Sequence, residues 1–497
     1  MSDIRVTYSG LISFLVGISS ILTGTVFTLI VTRQLTVEEF GTWGLIGSII
    51  AYVLLLESSI FFWITRETAR KVPTAKTGVI SSGMFSLVGV IIFIILASLM
   101  AEQVKIDTSL MIFAVLLVPV NFINHTLTGL NTGWKPQIAS YGFISTELCK
   151  VPLALVFVYF LNMGLEGVII TMVFSYLTSI ILQAYFARKK LQEKFQTKFI
   201  KKWIKLSWIA LYRDIPGILY VSDIVIFSTI SGNVIGIAYI GAARTISNLV
   251  RHSGRISTAI YPKMLEGGKQ EHLQENLVRT LYFAFPIVAF SIVFARPGLF
   301  ALNPEYEIAF TIVIFLSFRT LLATLNRIFR SALQGIEKID VSENAGFRDY
   351  VKSFLIIIPT VRTIQYASYV VLLSSGLYLL VENESSQLDL VTYWAIIAMC
   401  IEIPFMIYFT ILIRKKFNLD IDFKNVFKYA IVSAVSFGIT HLLMEKFLVY
   451  DISIFNFLPN LIIFLIFGLG FYFGITYLVD KKTRNLVNMV MKEIQKK

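Results

Sequence analysis

Arginines interrupt two apolar stretches of this chain at a regular spacing. Arg244, Arg251 and Arg255 stand at i, i+7 and i+11, and Arg319, Asn326 and Arg330 repeat that spacing. At about 100° per residue each set falls within about 40° on one helix face, with Arg327 offset by about 80°. A guanidinium presents a planar fork of donors that matches phosphate or pyrophosphate, so such a face reads as the wall of a cationic lumen. A second reading stays open for Arg255 and Arg330, which lie near the ends of their stretches and can snorkel to the interface.

The other ionisable residues within apolar sequence are more mixed in sign. Glu57 is a candidate for exchanging a proton or coordinating Na⁺, because a buried carboxylate holds its proton more readily. Asn121, Asn124 and His125 form a polar group on a single stretch, candidates for a polar lumen wall. Glu147 and Lys150, three apart, can pair along one helix face. They read either as a coupling carboxylate with a lumen lysine or as a self-neutralised structural pair. His125 and His441 have no neighbours at ligand spacing, so no metal site is expected. No G-x-x-x-x-G-K-[ST] segment is present, which excludes a nucleotide-driven pump built on this chain alone. No clustered catalytic Asp, Glu or His marks an enzyme; the open question is coupling to Na⁺ or H⁺.

These side chains must be held by membrane helices. Of 497 residues, 56% are hydrophobic and only 15% are charged, against about a quarter charged in soluble proteins. Apolar runs long enough to cross a bilayer recur along the whole chain. About fourteen spans are expected, near 10–32, 40–64, 78–100, 108–130, 137–161, 165–187, 207–230, 234–260, 280–300, 307–333, 353–380, 390–413, 427–444 and 455–479. The formal net charge of +13 does not point to nucleic acid, because its distribution follows the membrane. With both termini in the cytoplasm, roughly 30 Lys and Arg fall inside and roughly 3 outside. The inner group includes Arg188-Lys189-Lys190 through Lys205, Arg414-Lys415-Lys416 and the tail from Lys481; the outer loops carry Glu38, Glu39, Glu305, Glu307 and Glu384.

Leu191, Phe195, Phe199 and Trp203 recur every fourth residue among lysines in the segment after the sixth span. That is the pattern of an amphipathic helix lying on the anionic inner leaflet, with a solvated basic linker as the other reading. The expected organisation is a six-helix lobe over 1–187, a basic linker over 188–206, a second six-helix lobe over 207–413, and two further helices with a basic tail over 414–497. The halves echo each other weakly, with Gly41 and Gly236 in comparable outer turns and Gly129 and Gly335 in comparable junctions.

The turn TRQLTVEEFGTWGL, the exit LLESSIFFWITRETAR, and the segments TGLNTGWKPQIAS and NMGLEGVII carry a family resemblance. In the second half SDIVIFSTISGNVIGIAYIGAART, ALNPEYEIAF and ALQGIEKIDV carry it. Together, in this order, they resemble the Wzx-type polysaccharide flippases of the MOP (multidrug/oligosaccharidyl-lipid/polysaccharide) superfamily, over essentially the whole chain. The sequence departs from the pattern at Glu57 and Ser58, where the family commonly has Asp then Gly. The resemblance implies an all-α, V-shaped, MATE-like bundle of two lobes that works by alternating access without a cofactor. It implies a polyprenyl- or dolichyl-linked glycan as substrate, contact with membrane lipids, and glycosyltransferases of the same pathway as partners. Asp223 falls where the family often has Asp, as a coupling candidate or as a structural bond between helices. The alternative is a MATE-like ion-coupled exporter of small molecules; a lumen for cationic drugs would want carboxylates, where this chain places arginine.

Overall fold

The structure, a computed structural model, describes residues 6–257, 260–265, 270–337, 347–417, 423–480 and 483–484. The basic tail expected from Lys481 onward lies almost wholly outside the described residues. Helices form every regular element among the described residues. The first compact unit comprises Met1–Gly241 and Val370–Leu390, and the second Ala242–Tyr369 and Val391–Lys497.

The first unit runs α1 (Val6–Gln34), α2 (Val37–Val53), α3 (Leu55–Ala69), α4 (Ala75–Val104), α5 (Thr108–Phe113), α6 (Leu117–Trp134) and α7 (Pro136–Ala154). It continues as α8 (Gly164–Leu191), α9 (Thr197–Lys205), α10 (Ser207–Ser231) and the start of α11 (Ile235–Ser247). Its local signals are clear. Thr36 and Glu39 form a reciprocal capping box that starts α2 and satisfies backbone N–H groups at the helix start. Pro136 opens α7, where its missing N–H costs no helical bond. Close approach is bought with glycine: a Cβ at Gly41 would collide with the carbonyl oxygen of Val234, and one at Gly133 with that of Thr65.

The second unit adds α12 (Ile260–Leu265), α13 (Gln270–Val293), α14 (Ala295–Leu302), α15 (Phe310–Gly335), α16 (Phe347–Val351), α17 (Phe354–Glu382) and α18 (Gln387–Cys400). It ends with α19 (Glu402–Phe417), α20 (Phe423–Phe447) and α21 (Ile454–Val479); α17 and α18 are shared between the units. One core joins Leu273 and Leu277 of α13, Ile328 and Phe329 of α15, and Phe409 and Ile413 of α19.

Among the described residues eleven helices are long and apolar enough to cross a bilayer, and α2 with α3, bent by 55°, make a twelfth. The expected count of fourteen is not confirmed among the described residues, and the eighth stretch is one place where expectation and structure differ. There α11 stops after 13 residues and gives way to 3₁₀ turns over Asn248–Ser257, so the stretch is not one continuous α-helix.

The linker also differs from the expectation of a helix with its aromatic face in lipid. Phe199 and Trp203 are buried against Ile60 and Trp63 of α3. The pair is fixed by Glu67, which accepts from Lys202 Nζ at 2.7 Å and from Trp203 Nε1 at 3.1 Å. Of the expected apolar face, Phe199 and Trp203 are covered by protein, whereas Leu191 ends α8 and Phe195 is exposed between the helices.

Candidate functional site

In the second unit the change of winding at Ser247 decides where the arginines go. A 3₁₀ turn advances about 120° per residue rather than 100°, so the single stripe expected through Arg244, Arg251 and Arg255 does not continue past α11. Arg244 lies over the Trp394 ring at 5.3 Å, and Trp394, fully buried, donates to Tyr369 Oη at 2.7 Å. Arg251 and Arg255 instead line a cavity of about 390 Å³ together with His252, Ser257 and, from α15, Arg327 and Ser331.

Gly254 makes this convergence possible. A Cβ there would collide with Nη2 of Arg327 and stand 2.7 Å from Cγ2 of Thr324. The missing side chain is thus the space through which the α15 guanidinium reaches the 3₁₀ turns. Arg251 donates to Asn248 Oδ1 at 3.1 Å, and the charge that Arg327 meets is that of Arg251. Among the described residues neither arginine is in an ion pair, and the cavity lining contains no carboxylate. Like charges held together in this way repel, and an anion between them would relieve that repulsion.

The remaining arginines are not gathered into this cavity. Arg319 is half-buried on α15. Arg330, also half-buried, lies over the Phe409 ring at 5.9 Å and is set among the charges of Arg362, Glu402 and Arg327. Asn326 is wholly buried and donates to Glu402 Oε2 at 2.9 Å, a bond that ties α15 to α19.

The first unit holds the mixed group. Glu57 is buried on α3, accepts from Thr126 Oγ1 at 2.7 Å, and stands 3.7 Å from Nδ1 of the half-exposed His125. Asn124 Oδ1 accepts from Ser179 and Gln183 of α8, at 2.8 and 3.2 Å. Asn121 turns back to its own helix at the Leu117 carbonyl, at 2.8 Å. Glu147 takes Lys150 at 2.6 Å and the Thr23 hydroxyl at 2.7 Å, which joins α7 to α1. Asp223 is buried on α10 beside Tyr52. Glu57 and His125 are thus brought together, whereas Glu147 and Lys150 satisfy each other.

Sequence reasoning passed over His252, Gly254 and Ser331 in the cavity, and Gln183, Glu67 and Lys202 elsewhere. A glycine between two arginines, in a stretch already dense in polar residues, was the available signal for the first group.

Eleven helices long and apolar enough to cross a bilayer, among the described residues, mark a multi-pass helical membrane protein. The chain belongs to the polysaccharide biosynthesis protein family, whose model matches residues 6–267, more than half of its length. Its fold is that of the MOP superfamily. A solved structure of the lipid II flippase MurJ, in an inward closed conformation, has a TM-score of 0.66 at 15% identity, covering 96% of this chain and 100% of that one. An inward-facing multidrug resistance MATE transporter of the MOP superfamily has a TM-score of 0.58 at 14% identity, covering 80% and 95%. MATE in its straight conformation has a TM-score of 0.51 at 15% identity, covering 81% and 94%. No curated protein sequence matches the chain.

Proposed function

We propose that this protein is a flippase that moves a polysaccharide precursor, an oligosaccharide on a polyprenyl- or dolichyl-linked (pyro)phosphate, across the cytoplasmic membrane by alternating access. One observation carries the reading: Arg251, Arg255 and Arg327 line a single cavity, and among the described residues its lining contains no carboxylate. Phosphate is the charge common to lipid-linked sugars whatever the glycan, and paired guanidiniums are its best-matched side-chain partners. Membership of the polysaccharide biosynthesis family and likeness to a lipid II flippase support the same choice. Arg244, Arg319 and Arg330 are assigned to the wider cationic lumen, with Asn121, Asn124, His125 and Lys150 as polar wall. No bond is made or broken, so no residue is catalytic. Glycosyltransferases of the same pathway supply the substrate.

The proposed organisation keeps both termini in the cytoplasm, with six-helix lobes over 1–187 and 207–413, the linker over 188–206 and the additional helices over 414–497. Glu57, Glu147 and Asp223 are the carboxylates assigned to H⁺ or Na⁺ coupling. Glu57 stands first because, among the described residues, its ion-pair partner is a histidine, His125, 3.7 Å away.

The second reading, an ion-coupled exporter of small molecules, is favoured by the likeness to the MATE transporter. The deciding experiment uses the full chain in proteoliposomes with a fluorescent polyprenyl-pyrophosphate oligosaccharide and, separately, a cationic dye. Arg251→Ala or Arg327→Ala should remove a charge-assisted contact of about 1.5–3 kcal/mol, one to two decades in affinity for the lipid-linked sugar. Lysine at either position should restore only part of it, because an ammonium cannot present two parallel donors. Dye efflux that depends on these arginines, with no movement of the lipid-linked sugar, would transfer the protein to the exporter class.

A further inference from the structure

The linker helix has an outer face that its docking leaves uncovered. Phe199 and Trp203 turn inward; at 100° per residue Lys201, Ile204 and Lys205 stand on the opposite side of α9. Ile204 is 57% exposed and Trp208, just beyond it on α10, 62%. Lys201 and Lys205 are exposed and in no ion pair among the described residues. Nearby carboxylates are engaged elsewhere: Glu67 with Lys202, Glu193 with Lys190 and the Ala75 N–H, Asp214 with Arg213. The face therefore combines exposed apolar side chains with lysines whose charge is not cancelled. It lies between two spans, Gly164–Leu191 and Ala210–Ser231, where headgroups meet acyl chains. An amphipathic aromatic and flexible lysines suit that boundary.

We propose that the outer face of α9, with Trp208, binds the headgroups of anionic phospholipids in the bilayer that holds the chain. The inner face supplies the mounting. Glu67 pins Lys202 and Trp203 to α3, so the outer lysines are presented at a fixed depth rather than on a loose tether. This division of labour gives the helix an apolar face for protein and a basic face, bearing Ile204, for lipid. The inference rests on the membrane character of the chain and not on what it transports.

The test places the full chain in phosphatidylcholine nanodiscs containing brominated phosphatidylglycerol or, at the same mole fraction, brominated phosphatidylcholine. The readout is the quenched fluorescence that disappears in Trp208→Phe. Brominated phosphatidylglycerol should quench Trp208 at least twofold more than brominated phosphatidylcholine. The double variant K201Q/K205Q should abolish that preference, since each lysine near an anionic surface favours it by about fivefold. Both positions are exposed, so this variant keeps the fold, and Trp203 docking reports on it independently. Equal quenching by the two lipids, or a preference that survives K201Q/K205Q, overturns the proposal. So does displacement of phosphatidylglycerol by equimolar polyprenyl phosphate, which would assign the face to the transported lipid, or shielding of Trp208 by a co-purifying protein.

Discussion

Removing the Glu67 side chain should release α9 from α3, and the effect can be worked from two contacts. The carboxylate is almost wholly buried and accepts a hydrogen bond from Trp203 Nε1 at 3.1 Å. A hydrogen bond to a charged group is worth about 1.5–3 kcal/mol. The Lys202 pair is close, at 2.7 Å, but the lysine is 51% exposed, so solvent screening holds it to about 1 kcal/mol or less. Glu67→Ala then costs about 1.5–4 kcal/mol of docking, or about one to three decades in the undocked population. Trypsin supplies the assay, because Lys198, Lys201, Lys202 and Lys205 lie within or at the end of the helix. Where α9 opens and recloses faster than it is cut, cleavage tracks the open population. Glu67→Gln keeps an acceptor for Trp203 and should fall between wild type and Glu67→Ala. Combining Glu67→Ala with Lys202→Ala should add little beyond Glu67→Ala, since both remove the same pair. Wild-type cleavage rates in Glu67→Ala would show that the Phe199 and Trp203 packing alone holds the helix and that the latch is idle.

Other perturbations probe the remaining features. Gly133→Ala drives a Cβ into the Thr65 carbonyl, and this overpacking of α3 on α6 should cost about 1–3 kcal/mol, whereas Gly217→Ala, with nothing within 4 Å, should leave Tm unchanged or slightly raised. Asp480 is subject to burial, which works to raise its carboxyl, but hydrogen bonds from Lys428, Tyr429 and Thr483 overcome that and hold it well below the usual range. Its stabilisation is therefore complete above the ordinary Asp value of about 4 and fades as pH falls towards the depressed value. The Tm gap between wild type and Asp480→Asn should be constant from pH 7 to 5 and shrink only below about pH 4; a gap that closes between pH 7 and 5 would contradict this. Glu57→Gln should flatten the dependence of transport on the H⁺ or Na⁺ gradient while the protein stays folded, and an unaltered dependence would leave Glu57 a purely structural acceptor for Thr126.

Much of the helical layout was legible because crossing a bilayer demands length and apolarity, and both are written directly into composition. The stretch expected near 108–130 is the span Thr108–Trp134, and that near 455–479 is α21. The eighth stretch was not legible as a break, because hydropathy averages over Asn248, His252, Ser253 and Gly254 without registering how the backbone winds. The arginine stripe failed for the same reason: a face computed at one rotation per residue is lost when the rotation changes at Ser247. The convergence of Arg251 and Arg327 depends on a tertiary approach through Gly254 that no local period encodes. On α9 the amphipathic period held only for Phe199 and Trp203, since Leu191 ends α8 and Phe195 is exposed between the two helices; nor can a period say whether its apolar side meets lipid or another helix. Glu67 was the residue that decides it, a carboxylate near the end of α3 whose two donors lie 135 and 136 residues further along the chain, beyond any local reach.

The contact at Gly41 bears on how the chain can diverge. The turn that opens α2 and the turn that opens α11 are alike in sequence, and they meet: Gly41 faces the Val234 backbone, Gly44 the Ile237 side chain, and Phe40 the Gly241 position. A residue with a Cβ at Gly41 cannot be accommodated by trimming Val234, since the obstacle is its carbonyl. At Gly44 and Gly241 the obstacles are side chains, so a larger residue on one turn can be matched by a smaller one on the other. Substitution should therefore be barred at the first site and compensatory at the other two. Descendants of this sequence would carry an unchanging glycine flanked by pairs that vary together, and the two turns would inherit their likeness as neighbours rather than only as copies.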